Sequence, residues 1–250
     1  RWFTEGLGVI DEVVNLDFQK DIPFSTNLIF RSDIFKFAFE ICEDLWVTIP
    51  PSSYLSILGA NIIGNLSASN ELVSKKDYRN ALISNQSARC MSSYIYSSAG
   101  VHESTSDLLF SGHLVIAENG AILKENKRFQ RDNEVISSFI DVFKLNSERL
   151  KNISFRDSYK TVPFKAKFID FKFNDKLIKS FDRYIDKTPF VPSNEALRDE
   201  RCREIFNIQA SALAKRLEHT GLKKAVVGIS GGLDSTLALL VIAKTFEILG

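Results

Sequence analysis

Ile34-Phe35-Lys36-Phe37-Ala38-Phe39-Glu40-Ile41-Cys42 puts Phe35, Phe37, Phe39 and Ile41 on one face of an extended chain and Lys36, Ala38, Glu40 and Cys42 on the other. A period of two is the mark of a β-strand, here ending on a cysteine. After a Pro50-Pro51 break, Asn61 to Leu66 reads as a second, more buried strand. Residues 77–90 mix polar and apolar side chains without Gly or Pro and read as a helix, and Ser93-Tyr94-Ile95-Tyr96 reads as a strand. Leu114 to Ala117 and Ala121 to Lys124 flank Glu118-Asn119-Gly120, and Asn-Gly supplies the positive φ angles of a tight hairpin turn. Val135 to Val142 is predicted as a further strand. Strands and helices thus alternate, which predicts an α/β domain over residues 1–150.

Composition shifts near residue 145. Residues 151–192 are basic, aromatic and poorly periodic, and end in Thr188-Pro189-Phe190-Val191-Pro192, where each proline biases its predecessor away from helix. They read as a connector; interspersed acids favour an interdomain or subunit contact over a nucleic-acid site. A second domain is predicted from residue 193. Ser193 or Asn194 caps a long helix in which Cys202, Ile205, Phe206, Gln209, Leu213 and Leu217 recur at three- and four-residue spacing, and Gly221 stops it. Cys202, like Cys90, is predicted to be core. Ala225-Val226-Val227-Gly228-Ile229 reads as a strand buried on both faces, followed by a loop from Ser230 to Ser235 and an apolar helix to Leu249. A buried parallel strand needs neighbours on both edges to satisfy its backbone groups, so a domain continuing past residue 250 is expected.

The 250 residues carry 32 Lys+Arg against 31 Asp+Glu, a formal net charge of +1, which argues against bulk electrostatic attraction to nucleic acid or an anionic membrane. With 44% hydrophobic and 25% charged residues, the chain has the usage of an ordinary globular protein. Cys42, Cys90 and Cys202 are far apart and form no C-x-x-C pair. Neither a disulfide framework nor structural zinc is predicted, and a reducing, cytoplasmic location is expected. No apolar run reaches the ~18 residues that cross a bilayer. The chain opens on Arg1 rather than Met.

Two stretches carry chemistry. Gly228-Ile229-Ser230-Gly231-Gly232-Leu233-Asp234-Ser235-Thr236 lies between a predicted strand and a helix. Successive glycines let the backbone approach a ligand, the helix start aims N–H groups outward, and the hydroxyls of Ser230, Ser235 and Thr236 add donors, as a phosphate cradle requires. The loop lacks the Lys of G-x-x-x-x-G-K-[ST], so it is not a Walker loop; a glycine-rich turn with an Asp-Ser helix cap is its plain structural reading. The other stretch is Ile41-Cys42-Glu43-Asp44-Leu45-Trp46. A thiolate at a strand end can attack an amide carbonyl, whereas an inert buried thiol needs no partner. Glu43 and Asp44 disfavour a thiolate, so a nearby cation and a general base would have to compensate. His102 and His113 could serve as papain-like partners for Cys42, although no orienting residue is identifiable.

Phe39 to Trp46, with Pro50-Pro51-Ser52 after it, resembles the nucleophile segment of the nitrilase (carbon–nitrogen hydrolase) superfamily in its glutaminase version. Ser230 to Ser235 resembles the Ser-Gly-Gly-x-Asp-Ser pyrophosphate loop of the N-type ATP pyrophosphatases. Gly64-Asn65-Leu66-Ser67-Ala68-Ser69, Ser87-Ala88-Arg89-Cys90, Glu103-Ser104-Thr105-Ser106-Asp107-Leu108, Glu118-Asn119-Gly120 and Phe190-Val191-Pro192 follow in the order found in the glutamine-dependent NAD⁺ synthetases. That family joins a nitrilase-type glutaminase to an ATP pyrophosphatase-type synthetase. The resemblance implies an α/β fold: a nitrilase-like α-β-β-α sandwich, incomplete, over 1–150. A connector over 151–192 follows, and then the first helix, strand, loop and helix of a doubly wound, Rossmann-like domain over 193–250.

It further implies a Cys-Glu-Lys triad in which Cys42 attacks the side-chain amide of glutamine, giving a thioester and ammonia. Glu43 and Trp46 would line the glutamine pocket, and Ser69 and Lys75 would hold the α-amino and α-carboxylate groups; Lys75 also reads simply as a solvated lysine at a helix start. No segment between Arg1 and Asp33 matches the family's Glu and Lys, and neither Lys20 nor Lys36 has the right context. The chain therefore reads as shortened at both ends, and as inactive by itself. In the family, ammonia passes through a tunnel to a site where ATP and Mg²⁺ adenylate deamido-NAD⁺. Gly228, Ile229, Ser230, Gly231, Gly232, Leu233, Asp234 and Ser235 would bind ATP there, with Asp234 the candidate Mg²⁺ ligand. A homo-oligomeric ligase is implied. The alternatives are weaker: a GMP synthetase would carry its cysteine in a Gly-x-Cys-x-Gly elbow, a free-standing nitrilase or amidase would have no use for the glycine loop, and an inactive piece is the non-enzymatic reading.

Overall fold

A computed structural model of the chain describes residues 6, 8–103, 107–173, 181, 183–192 and 194–250. Two short strands, β1 (Glu12–Val14) and β2 (Ile22–Phe24), pair antiparallel as a separate ribbon. β3 (Leu28–Arg31) runs antiparallel to β4 (Lys36–Ile41), the strand predicted at 34–42. Pro50-Pro51, which reads as a break, starts a helix instead. Pro51 is the first residue of α1 (Pro51–Ile57), where a missing N–H costs nothing. β5 (Ile62–Ser67), α2 (Lys75–Cys90) and β6 (Ser93–Ser98) follow as expected, with α2 beginning two residues before the predicted Asp77.

The hairpin forms as β7 (Leu114–Glu118) and β8 (Ala121–Glu125), and its turn has φ +46° at Asn119 and +91° at Gly120, as a two-residue Asn-Gly turn requires. The strand predicted over 135–142 does not form. Val135 is 91% exposed, and Asp141 caps α3 (Val142–Lys151) by accepting from Lys144 N at 2.9 Å. Local side-chain capping has won over a weak alternation. α4 (Ile153–Asp157) and β9 (Lys167–Asp170) lie within the stretch read as a connector, and β9 pairs in parallel with β3.

The sheet has seven strands in the order β8-β7-β6-β5-β4-β3-β9, with β4, β5 and β6 mutually parallel. One face, carrying Ile29, Ala38, Ile63, Tyr94, Tyr96, Val115 and Ala117, forms the core beneath the helices. The opposite face of β4–β6 is open: Phe39, Ile41, Leu66 and Ile95 are all substantially exposed. On that face Gly64 sits opposite Phe39 in the ladder, and a Cβ added there would stand 2.8 Å from the Phe39 ring. Seven strands with flanking helices give the mixed α/β architecture expected. The described residues contain this sheet and the two-stranded ribbon, rather than a stacked pair of large sheets.

The chain divides into two compact units, Arg1–Arg183 and Tyr184–Gly250. The second contains α5 (Glu195–Thr220) and α6 (Leu233–Leu249). Asn194 caps α5 by accepting from Leu197 N at 3.0 Å, and Gly221 ends it at φ +69°; Ser193, the other predicted cap, lies outside the described residues. Of the predicted stripe Leu217 is buried and Phe206 and Leu213 are half-buried, while Ile205, Gln209 and Cys202, the last predicted as core, are exposed; the buried residues of α5 are Ala210, Ala214 and Leu217. Thr245 of α6 donates its hydroxyl to Ala210 O at 3.1 Å, so α6 packs on the C-terminal half of α5. The strand predicted at 225–229 is not formed, and Val226 is 98% exposed. Among the described residues it has no neighbouring strand, and a parallel strand without neighbours has nothing to bond to.

Candidate active site

Because β4 and β5 are parallel, their carboxyl ends open on the same edge, where open α/β sheets commonly receive ligands. Cys42 stands at that edge as the first residue of a 3₁₀ turn, Cys42–Trp46. Its φ is +51° and its side chain is half-buried. A non-glycine residue in the left-handed region costs about 1–3 kcal/mol and persists only where its surroundings fix it. Two contacts do so here. Asp44 accepts from Ile41 N at 2.9 Å and closes the turn, and Asn65 of β5 accepts from Cys42 N at 3.1 Å while its amide faces Cys42 O at 3.4 Å.

Below Cys42 the core face of the sheet is polar. Glu40 is 2% exposed; its carboxylate accepts from Ser52 N at 2.8 Å and from the Tyr94 hydroxyl. Burial raises its pKa, against the opposing pull of those two donors. Cys90 is buried as predicted, and burial pushes its thiol up to about 11, the behaviour of an inert core thiol.

The residues expected to bind glutamine cluster partly. Trp46 stacks at a tilt on Tyr78, ring centroids 5.4 Å apart, and the Lys75 ammonium lies 5.4 Å from the Trp46 ring centre. Lys75, the first residue of α2, donates to Asn70 O at 2.7 Å and Asn70 Oδ1 at 2.9 Å, so it is anchored rather than freely solvated. Its pKa is lowered by burial and by Arg79, while Glu71 and Cys42 pull it back up. Ser69 is buried in the loop after β5, and Glu43 is exposed beside Cys42. Cys42, Trp46 and Lys75 therefore share the sheet edge, and Ser69 lies on the loop leaving it.

A buried ion cluster next to this edge carries no sequence signal, since its members come from α2, β8 and three loops. Arg79, fully buried, donates to Glu71 at 2.7 Å and approaches His113 Nδ1 at 2.9 Å; His113 Nε2 meets Glu125 at 2.9 Å, and Arg128 meets the other Glu71 oxygen at 2.9 Å. Arginine can only donate, so His113 Nδ1 accepts and the ring is neutral with its proton on Nε2. The papain-like partnership with Cys42 is thereby overturned, because both nitrogens of His113 are committed elsewhere. His102 Nε2 likewise sits 3.0 Å from Arg131 O.

This cluster makes stability depend on pH. Burial, joined by Arg79, holds His113 below its usual 6.5 despite Glu125. Burial pushes Glu71 and Glu125 up, but Ser111 and the two arginines hold the first below 4.5, and Lys76, Asn80 and His113 hold the second there. All three groups have depressed folded-state values. Each therefore contributes stability that is present above its unfolded pKa and lost as pH falls through the folded one. The melting temperature is expected to decline from about pH 6.5 downward and more steeply below the carboxylate range, and His113→Gln should flatten the upper part. A melting temperature constant between pH 7 and 5 would contradict the neutral-histidine assignment.

In the second unit, the loop before α6 is tied to itself. Ser230 N donates to Ser235 Oγ at 3.3 Å, Gly232 N to Ser230 Oγ at 3.4 Å, and Ser235 Oγ to Gly232 O at 3.0 Å. Gly231 has φ +83°, and an added Cβ would meet nothing within 4 Å. α6 starts at Leu233, two residues earlier than predicted, so Leu233, Asp234 and Ser235 offer first-turn N–H groups that have no intrahelical acceptor. Gly228, Ile229 and Asp234 are exposed. Among the described residues no group of three or more His, Cys, Asp or Glu side chains could hold a metal ion.

A half-buried strand-end thiol, an aromatic ring and an anchored ammonium thus lie along one edge of a mixed α/β sheet. No family model matches the chain. It is 38% identical over 238 residues to the glutamine-dependent NAD(+) synthetase of Mycobacterium tuberculosis, covering 91% of this chain and 34% of that protein. The corresponding Mycobacterium leprae protein is 36% identical over 238 residues, covering 90% and 34%. This chain is similar in sequence to part of these two proteins, and spans about a third of the length of the curated relatives it matches. A crystal structure of a glutamine-dependent NAD(+) synthetase from Cytophaga hutchinsonii aligns with a TM-score of 0.41 at 24% identity, over 51% of this chain and 20% of that one.

Proposed function

We propose that this chain is part of a ligase that takes nitrogen from glutamine to convert deamido-NAD⁺ to NAD⁺ with ATP. The observation that carries this reading is the 38% identity over 238 residues, which takes in 91% of this chain. Cys42 Sγ attacks the side-chain carbonyl of glutamine, the C–S bond forms, the C–N bond breaks, and ammonia leaves with the thiol proton. Water then cleaves the thioester, releasing glutamate and restoring the thiol. Lys75 takes the α-carboxylate, Ser69 the α-amino group, and Glu43 and Trp46 line the pocket between. The general base and lysine of the triad are not assigned to any residue of this chain.

The loop from Gly228 to Ser235 receives the ATP phosphates. Its fit rests on the donors of the α6 first turn, the Ser230 and Ser235 hydroxyls, and the open space over Gly231. Mg²⁺ supplies charge neutralisation at the phosphates, and with one carboxylate in reach, Asp234, it would rely on phosphate oxygens and water, which suits its chemistry. A free thiol and ATP are both available in a reducing cytoplasm, where we place the protein. No helix among the described residues is long and apolar enough to cross a membrane. The test supplies the full-length protein with glutamine isotopically labelled in its side-chain amide nitrogen, deamido-NAD⁺, ATP and Mg²⁺. Label is expected in the carboxamide of NAD⁺, with AMP and pyrophosphate as co-products; ATP cleaved to ADP, or label left in glutamine, refutes the reading.

A further inference from the structure

The hydrogen bonds below Cys42 run in one direction. Glu40 accepts at both carboxylate oxygens, from Ser52 N and from the Tyr94 hydroxyl. Tyr94 has a single proton, and that proton goes to Glu40, so its oxygen can only accept from its other neighbour, Asn65 Nδ2, at 3.0 Å. This fixes the amide: Nδ2 faces Tyr94 and Oδ1 faces the Cys42 N–H at 3.1 Å. Glu40, Asn65 and Tyr94 are each at most 2% exposed, so bulk solvent does not reach these groups. The residue at the end of the chain is the one whose backbone sits at φ +51°.

We propose that Asn65 is the positioning residue for the Cys42 thiol, oriented by a one-way hydrogen-bond chain from Glu40 through Tyr94. The proposal rests on Cys42 being the nucleophile. Asn65 touches no substrate; it holds the strained Cys42 backbone so that Sγ points off the sheet edge, and Tyr94 keeps the amide from flipping.

The test uses the full-length protein and steady-state glutamine hydrolysis. Asn65→Ala is expected to lower kcat by about thirtyfold or more with KM for glutamine within about threefold, because thiol placement and not substrate binding is lost. Tyr94→Phe removes one oxygen and should lower kcat about three- to tenfold. Asn65→Asp reproduces the amide's donor and acceptor pattern only when its new carboxyl is protonated, so its activity relative to the unmodified protein should rise as pH falls; Glu40, Glu43, Asp44, Lys75, Cys90, Tyr94 and Cys42 are the other titratable groups around this site, and all are common to both proteins. A merely structural role would leave that ratio flat. A kcat within twofold of normal in Asn65→Ala, a loss carried by KM, or a flat ratio overturns the proposal. If Asn65→Ala fails to fold, Tyr94→Phe decides, and an unchanged kcat there overturns it. Cys42→Ala separates the two levels: if it still hydrolyses glutamine, the nucleophile assignment falls, whereas an inactive Cys42→Ala beside an unaffected Asn65→Ala sinks the positioning role alone.

Discussion

Cys42→Ala in the full-length protein is expected to cut glutamine-driven NAD⁺ formation by about three orders of magnitude or more, while formation from free ammonia persists. The thiol is the strongest nucleophile that the described residues place at the sheet edge, and the turn around it is held by backbone N–H groups donating to Asp44 and Asn65, which alanine would keep. The substitution thus removes the nucleophile without removing the turn. The measurement is NAD⁺ produced with glutamine or with ammonium chloride as nitrogen donor. Loss with both donors would mean that the two chemistries are not divided between the Cys42 edge and the glycine loop.

Asp234→Ala is the complementary experiment. It should lower NAD⁺ formation by about a hundredfold or more with either nitrogen donor, while Cys42 still forms a covalent adduct with a glutamine-like electrophile. Asp234 lies in the first turn of α6, next to the loop that Gly231 shapes with its positive φ. It is the one carboxylate of that loop, so under the proposed function its removal takes away the only carboxylate that the loop itself offers to Mg²⁺. Unchanged synthesis would refute the phosphate assignment of the loop, and a lost adduct would point to general misfolding.

The sheet was largely legible because alternation and turn chemistry are local. Residues 34–42, 61–66, 93–96 and the Asn119-Gly120 hairpin each announce their strand, and all four form. Alternation does not say which face the helices cover. In β4 the covered face carries Ala38 and Glu40 while Phe39 and Ile41 stand open, since Ser52 and Tyr94 satisfy the carboxylate and make its burial tolerable. Elements set by a few capping contacts, α1 at Pro51 and α3 at Asp141, were hidden for the same reason that 135–142 misled: one cap outweighs a short pattern. Residues 225–229 failed as a strand because strand formation is a property of neighbours. At the candidate site the local motif pointed to Cys42, and Trp46 and Lys75 entered through the family resemblance. Within the cluster of Glu71, Arg79, His113, Glu125 and Arg128 the Glu71–Arg128 link joins residues 57 positions apart, and no local spacing encodes it.

Gly64 and Phe39 face each other across β4 and β5, with room for the ring only because residue 64 has no side chain. Change at this pair is consequently ordered in time. A lineage can shrink Phe39 first and then let position 64 grow, but the reverse route passes through an intermediate in which a methyl group and an aromatic ring compete for one space. The neighbouring residue, Asn65, inherits that constraint, because any shift of β5 to relieve the collision would move the amide that faces Cys42.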